Sequence, residues 1–125
     1  MATVVVGYVP KPEGEAALDA AIEEARRRGA ELVVVNARRS GGEPESDLDG
    51  VRARLTDSGV TFDLREVVQG LDASEDLIAV ASETSAELIV IGLRRRTPVG
   101  KLILGSNAQR VLLDAPCPVL AVKAA

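Results

Sequence analysis

With 125 residues the chain is long enough for one domain and one real hydrophobic core. Its 15 basic residues against 19 acidic ones leave a net charge of −4, which argues for solubility and against general nucleic-acid binding. It has no histidine and one cysteine, Cys117, which excludes a histidine base, a cysteine metal cage and an intramolecular disulfide. Tyr8 and Phe62 are the only aromatics, so Val, Leu, Ile and Ala must fill the core. Thr3 to Tyr8 is β-branched and continuous rather than alternating, as in a strand buried on both faces. Glu13 to Arg28 sets Ala17, Leu18, Ala21, Ile22 and Ala25 at helical spacing, with acids early, Arg26 to Arg28 last and Gly29 as the stop. The Arg triplet thus reads as a solvated helix end. Glu31 to Ala37 is a second buried strand, and Ser40 to Asp49 is rich in Gly, Pro and acid, as in a loop.

Leu48 to Thr56 predicts a short helix closed by Ser58-Gly59, and Thr61 to Val68 a partly alternating strand nearer an edge. Asp72 to Thr84 is amphipathic, with Asp72 and Glu75 in capping-box spacing. Leu88 to Ile91 is a strand, Asn107 to Asp114 a helix and Pro118 to Val122 the closing strand. Strands alternating with helices imply an α/β fold with a parallel sheet covered on both faces by right-handed crossovers. No internal repeat, low-complexity tract or second domain is visible. In such sheets ligands bind beyond the carboxyl ends of the strands, where strand order reverses, so the loops after Tyr8 and after Ile91 are the candidate crevice. No apolar stretch approaches membrane-spanning length and the N-terminus does not read as a signal peptide, so a cytoplasmic location and no membrane partner are expected.

The segment from Ile91 to Val122 carries the most chemistry. A strand runs into Gly92, then a loop with Arg94, Arg95, Arg96 and Lys101, then Gly105-Ser106 opening a helix. Unpaired N–H groups and the dipole at a helix start favour an anion. Gly100-Lys101 does not complete a P-loop, because Arg95 stands where a glycine is required and Leu102 replaces the magnesium-binding Ser or Thr. The G-x-G-x-x-G dinucleotide fingerprint follows no strand. The spacing Gly92, then Gly105-Ser106, resembles the G-x2-G-x9-G-[ST] hallmark of the universal stress protein family. The resemblance extends to the ending Ala115-Pro116-Cys117-Pro118-Val119-Leu120-Ala121-Val122-Lys123, to Pro12-Glu13 and to the Ala-rich first helix. It covers essentially the whole chain, with an abbreviated middle around residues 38 to 50.

That resemblance implies a doubly wound five-stranded parallel sheet in the order 3-2-1-4-5, with helices on both faces. It also implies a stress-response regulatory module that binds ATP, AMP or another adenine nucleotide between the loop after the first strand and the Gly92 to Ser106 segment. The residues expected around the nucleotide are Tyr8, Val9, Pro10, Ala37, Gly92, Arg94, Arg95, Lys101, Gly105, Ser106 and Asn107. Two departures stand out. Arg95 occupies the hallmark's middle glycine, and the V-D-x-S pattern falls on Tyr8-Val9-Pro10-Lys11, so Val9 replaces the acid and nothing at this point supports magnesium. Side-chain charge from Lys11, Arg94, Arg95, Arg96 and Lys101 would then stand in for backbone and metal contacts. Ser106 with Gln109 also fits a capping box, Gly92 and Gly105 also fit tight turns, and Tyr8 also fits core packing. Cys117, between two prolines, reads as a packing residue. The alternatives to a nucleotide module are a dimeric protein-interaction module with a vestigial pocket and a slow ATPase, for which no catalytic residue stands out. The resemblance further implies a homodimer through antiparallel pairing of the last strand, Val119, Leu120, Ala121 and Val122; the physical argument alone says that this apolar edge must be covered.

Overall fold

The unbroken run of β-branched residues at the start of the chain forms the centre of the sheet. In the computed structural model, which describes residues 2–37, 48–67, 73–93 and 105–124, β1 (Thr3–Tyr8) pairs in parallel with β2 (Glu31–Ala37) on one side and β4 (Leu88–Leu93) on the other. β3 (Phe62–Val67) joins β2, and β5 (Val119–Lys123) joins β4. The sheet is all parallel in the order β3-β2-β1-β4-β5, as expected. The half-buried side chains of Phe62, Asp63, Leu64 and Arg65 fit β3's edge position, which its partial alternation predicted.

Burial on both faces explains why β1, β2 and β4 lack alternation. Successive side chains point to opposite faces, and the sheet divides its apolar residues accordingly. Val4, Val6, Tyr8, Leu32, Val34, Leu88 and Val90 face α1 (Pro12–Arg28) and α2 (Leu48–Ser58). Val5, Val33, Val35, Ile89 and Ile91 face α3 (Ala73–Glu83) and α4 (Ser106–Asp114). Leu18 and Ile89 are 0% exposed, and such burial stabilises by about 1.5–3 kcal/mol per side chain.

α1 starts one residue earlier than the periodicity predicts, because Pro12 takes the first helical position, where its fixed φ fits and no N–H is needed. Gly29 ends the helix at φ 61°, its N–H reaching back to the carbonyls of Ala25 and Arg26. Arg26, Arg27 and Arg28 pair with Glu23, Glu24 and Glu87 at the surface, the solvated helix end expected of the triplet. β4 extends to Leu93 rather than stopping at Ile91, because β5 continues to pair alongside it, Gly92 with Val122 and Leu93 with Lys123. Asp72, half of the capping box read in α3, lies outside the described residues. Arg110 of α4 reaches Glu75 of α3 at 3.1 Å and ties the two helices together. Cys117 packs half-buried against the α3/α4 core, and burial pushes its thiol pKa up. Among the described residues no helix is long and apolar enough to cross a membrane.

Candidate functional site

The carboxyl ends of β1 and β4 lie side by side, while α1 leaves for one face of the sheet and α4 packs on the other. This is the reversal point at which α/β sheets place ligands. An open cleft of about 470 Å³ lies on the β1 side, lined among the described residues by Tyr8, Pro10, Lys11, Pro12 and Glu15. That volume falls within the range of small-molecule sites.

The cleft wall is built by a tight β1–α1 connection. The Lys11 N–H donates to the Val9 carbonyl at 2.8 Å, and the Lys11 carbonyl accepts the first helical bond from Glu15 at 3.0 Å. Gly14 lets the helix approach that connection, since a Cβ there would lie 1.8 Å from the Val9 oxygen. Val9 is thus a structural corner, half-buried and without a carboxylate to offer. Tyr8 is 3% exposed and packs in the α1/α2 core, yet its hydroxyl reaches the cleft and donates to Glu15 Oε1 at 2.7 Å. Packing and lining are therefore both true of Tyr8. The other Glu15 oxygen accepts from Arg54 of α2, which also holds Asp19. Burial works against the Arg54 cation, but the Glu15 hydrogen bond and the charges of Asp19 and Glu15 outweigh it and raise its pKa. Lys11, by contrast, is exposed at the cleft mouth with no ion-pair partner among the described residues.

Gly92 is placed by packing. Its φ is not positive, and a Cβ added to it would lie 2.0 Å from the Glu13 carbonyl oxygen and 2.6 Å from the carbonyl carbon. The hallmark's first glycine is therefore where the end of β4 touches the first turn of α1. Gly105 takes the N-cap of α4 in extended conformation, with no side-chain cap, and Ser106 becomes the first helical residue. The capping box read from Ser106 and Gln109 does not form, because the serine sits one position too late to cap. Ser106 and Asn107 are both exposed, so this helix start is open to solvent. Ala37 ends β2 at the same edge of the sheet, its backbone paired with Val67. Arg94, Arg95, Arg96 and Lys101 lie outside the described residues.

The structure thus brings Tyr8 and Pro10 together in one cleft and places Val9, Ala37, Gly92, Gly105, Ser106 and Asn107 around the same carboxyl edge. Glu15 and Arg54 are additions that the sequence reading missed. Glu15 was legible only as an acid suited to a helix start, and Arg54 stands 39 positions away from it. Among the described residues no cluster of three or more His, Cys, Asp and Glu is placed to hold a metal ion.

Residues 1–123 match the family described as "Universal stress protein family". A universal stress protein of Mycolicibacterium smegmatis is 48% identical, covering 96% of each chain. A universal stress protein structure from Archaeoglobus fulgidus superposes with a TM-score of 0.77 at 34% identity, covering 98% of this chain and 99% of that one. Another from the same organism, solved in complex with dAMP, gives 0.74 at 27% identity and covers 98% of both. A family match over nearly the full length, with the strand order and the Gly92 to Ser106 spacing already in view, means that the chain belongs to the universal stress protein family.

Proposed function

We propose that this protein is a stress-response regulatory module of the cytoplasm that binds an adenine nucleotide, AMP or ATP, between the β1–α1 connection and the start of α4. The observation that carries this reading is the cleft at Tyr8, Pro10 and Lys11, set at the sheet's reversal point in a chain related to a dAMP-bound protein. The uncapped start of α4 supports it, since exposed N–H groups there suit a phosphate. Lys11 stands ready as a counter-charge at the cleft mouth. Our reading assigns no magnesium to the β1 corner, where Val9 offers only its carbonyl. It also assigns binding rather than catalysis: the acid in the cleft, Glu15, is held by Tyr8 and Arg54 and is poorly placed to exchange protons with a substrate.

Calorimetry with AMP, ATP and cyclic AMP on nucleotide-stripped protein tests the proposal. Binding heat is expected, and none at millimolar ligand refutes it. Absorbance near 260 nm in freshly purified protein gives a quick check, because the chain has no Trp and one Tyr. Hydrolysis above background that disappears in Ser106→Ala would argue for an ATPase instead.

The second part of the proposal is a homodimer through β5. β5 pairs with β4 on one side and forms the sheet edge on the other. Leu120 is 36% exposed there, and Leu112 and Leu113 of α4 are 40% and 82% exposed. An apolar edge strand favours pairing with a second copy, and the exposed leucines of α4 add apolar surface that such pairing could cover. The same surface favours the competing reading, an interaction dimer with a vestigial pocket, which the calorimetry separates from the first.

A further inference from the structure

The cleft holds a carboxylate where the proposed ligand is anionic. Among the described residues that line it, Lys11 and Glu15 carry the charges, one of each sign, so these two offer a phosphate no net attraction. Glu15 has structural reasons to be there. Its Oε1 accepts from the hydroxyl of the buried Tyr8 at 2.7 Å, and an acid in the first turn suits the dipole of α1. Its other oxygen accepts from Arg54 of α2, whose guanidinium also holds Asp19. Asp19 lies one turn further along α1 and its side chain is 71% exposed, so water screens its charge. Arg54 is not part of the described lining and stands behind Glu15. α2 presents it from a fixed place, since Val51 and Leu55 on either side of it are buried in the core. Arg26 joins the two helices a second time, donating to the Ser58 carbonyl at 3.1 Å near the C-terminal end of both. The packing of α1 on α2 therefore does not hang on Arg54 alone, and its effect on Glu15 is the more telling one.

We propose that Arg54 is a positioning residue for the nucleotide site, holding and neutralising the Glu15 carboxylate so that an anionic ligand can occupy the cleft; this rests on the nucleotide reading above. Two opposite charges in contact nearly cancel at the distance of a bound phosphate, which leaves Lys11 as the uncompensated charge among the described lining residues. A guanidinium suits the task, because it stays charged at any physiological pH and its separate N–H groups hold two carboxylates at once. Without Arg54, Glu15 faces the phosphate unneutralised, and a like charge across a water-exposed cleft weakens binding by about threefold to tenfold. The effect grows with the charge of the ligand. It acts through Glu15, which sets it apart from a direct contact between Arg54 and the phosphate and from a loss of helix packing.

The test is a charge cycle read by calorimetry, with AMP and magnesium-free ATP on nucleotide-stripped protein. Arg54→Gln removes the cation but keeps a polar side chain, and should weaken AMP binding by about threefold to tenfold and ATP binding by more. Glu15→Gln still accepts from the Tyr8 hydroxyl but removes the anion, and should tighten AMP binding by about twofold or more. The double variant, with both charges gone, should return to within about twofold of wild type, a restoration that neither a direct phosphate contact nor a packing role would give. Arg54→Gln binding AMP as wild type does, or a loss that Glu15→Gln fails to restore, overturns the assignment while leaving nucleotide binding intact. If Arg54→Gln does not stay folded at the assay temperature, Glu15→Gln alone decides: tighter AMP binding supports the assignment, and unchanged or weaker binding overturns it. No binding of either ligand by wild type overturns the nucleotide reading and this inference with it.

Discussion

Replacing Gly92 with Ala separates two reasons for a glycine in the family hallmark. The added Cβ would stand 2.0 Å from the Glu13 oxygen and 2.6 Å from its carbonyl carbon, both backbone atoms that no rotamer change can move. α1 would have to withdraw by more than about 1 Å, and a gap of that size forfeits a quarter to a half of each dispersion contact across it. The helix buries Ala17, Leu18, Ala21, Ile22 and Ala25, so the loss spreads along its whole inner face. We expect about 3 kcal/mol of destabilisation, the upper end for overpacking. With an unfolding entropy of about 2.1 cal/mol/K per residue, that lowers Tm by roughly 11 °C for this chain length. Gly50→Ala is the control: it sits in α2 with nothing within 4 Å of the added Cβ and should gain about 0.5 kcal/mol. Circular dichroism melts of both variants without ligand make the comparison. If Gly92→Ala melts within 3 °C (~1 kcal/mol) of wild type yet abolishes AMP binding, the packing explanation is wrong and the glycine serves the ligand.

Tyr8→Phe removes the hydroxyl that Glu15 accepts and should cost about 1 kcal/mol in urea unfolding, while keeping the ring against the core. Arg54→Ala, at partly exposed ion pairs with Glu15 and Asp19, should cost at most about 1 kcal/mol, with the loss shrinking at 1 M salt. Burial raises the Cys117 pKa, so the folded state holds that proton more tightly than the unfolded one. Stability from this group is then complete below the unfolded thiol pKa and declines as pH rises through the folded one, and iodoacetamide should label Cys117 more slowly in native than in urea-unfolded protein at pH 8. Leu113→Glu combined with Leu120→Glu should convert the proposed dimer to monomer in light scattering after gel filtration; an unchanged mass would place the interface elsewhere.

The strands and helices were legible because their signals are local. Unbroken runs such as Val4 to Val6 and Val33 to Val35 mark strands covered on both faces, and the Ala and Leu spacing of α1 marks its inner face. The hallmark spacing was equally legible, but the reason for its first glycine was not. Gly92 meets Glu13, 79 positions earlier, and only the parallel pairing of β1 with β4 brings them together. Glu15 and Arg54 are hidden for the same cause, as ordinary surface charges whose partnership depends on how α1 and α2 pack. Asn36 left a trace in the sequence, a polar residue closing a run of valines, but its register with Tyr8 of β1 becomes visible only in the sheet. Ser106 shows the opposite limit. A shift of one residue in where α4 begins was enough to turn an apparent cap into an exposed first-turn hydroxyl.

The contact between Gly92 and Glu13 also bears on how ligand selectivity is divided within the site. It joins the end of β4 to the first turn of α1, and Gly14 presses the same turn onto Val9. Two glycine contacts with backbone thus set the floor between the β1 and β4 ends, and little adjustment is left there because neither can widen without moving α1. Selectivity in our reading must then come from the groups above that floor. On the β1 side this is Tyr8, an aromatic suited to a base. At the cleft mouth Lys11 offers an exposed positive charge, and the first turn of α4 offers N–H groups, both suited to phosphate. A ligand with a planar base at one end and an anion at the other satisfies both halves together, whereas a simple anion engages only the second. That asymmetry, more than the glycine spacing, is what favours a nucleotide over inorganic phosphate as the ligand.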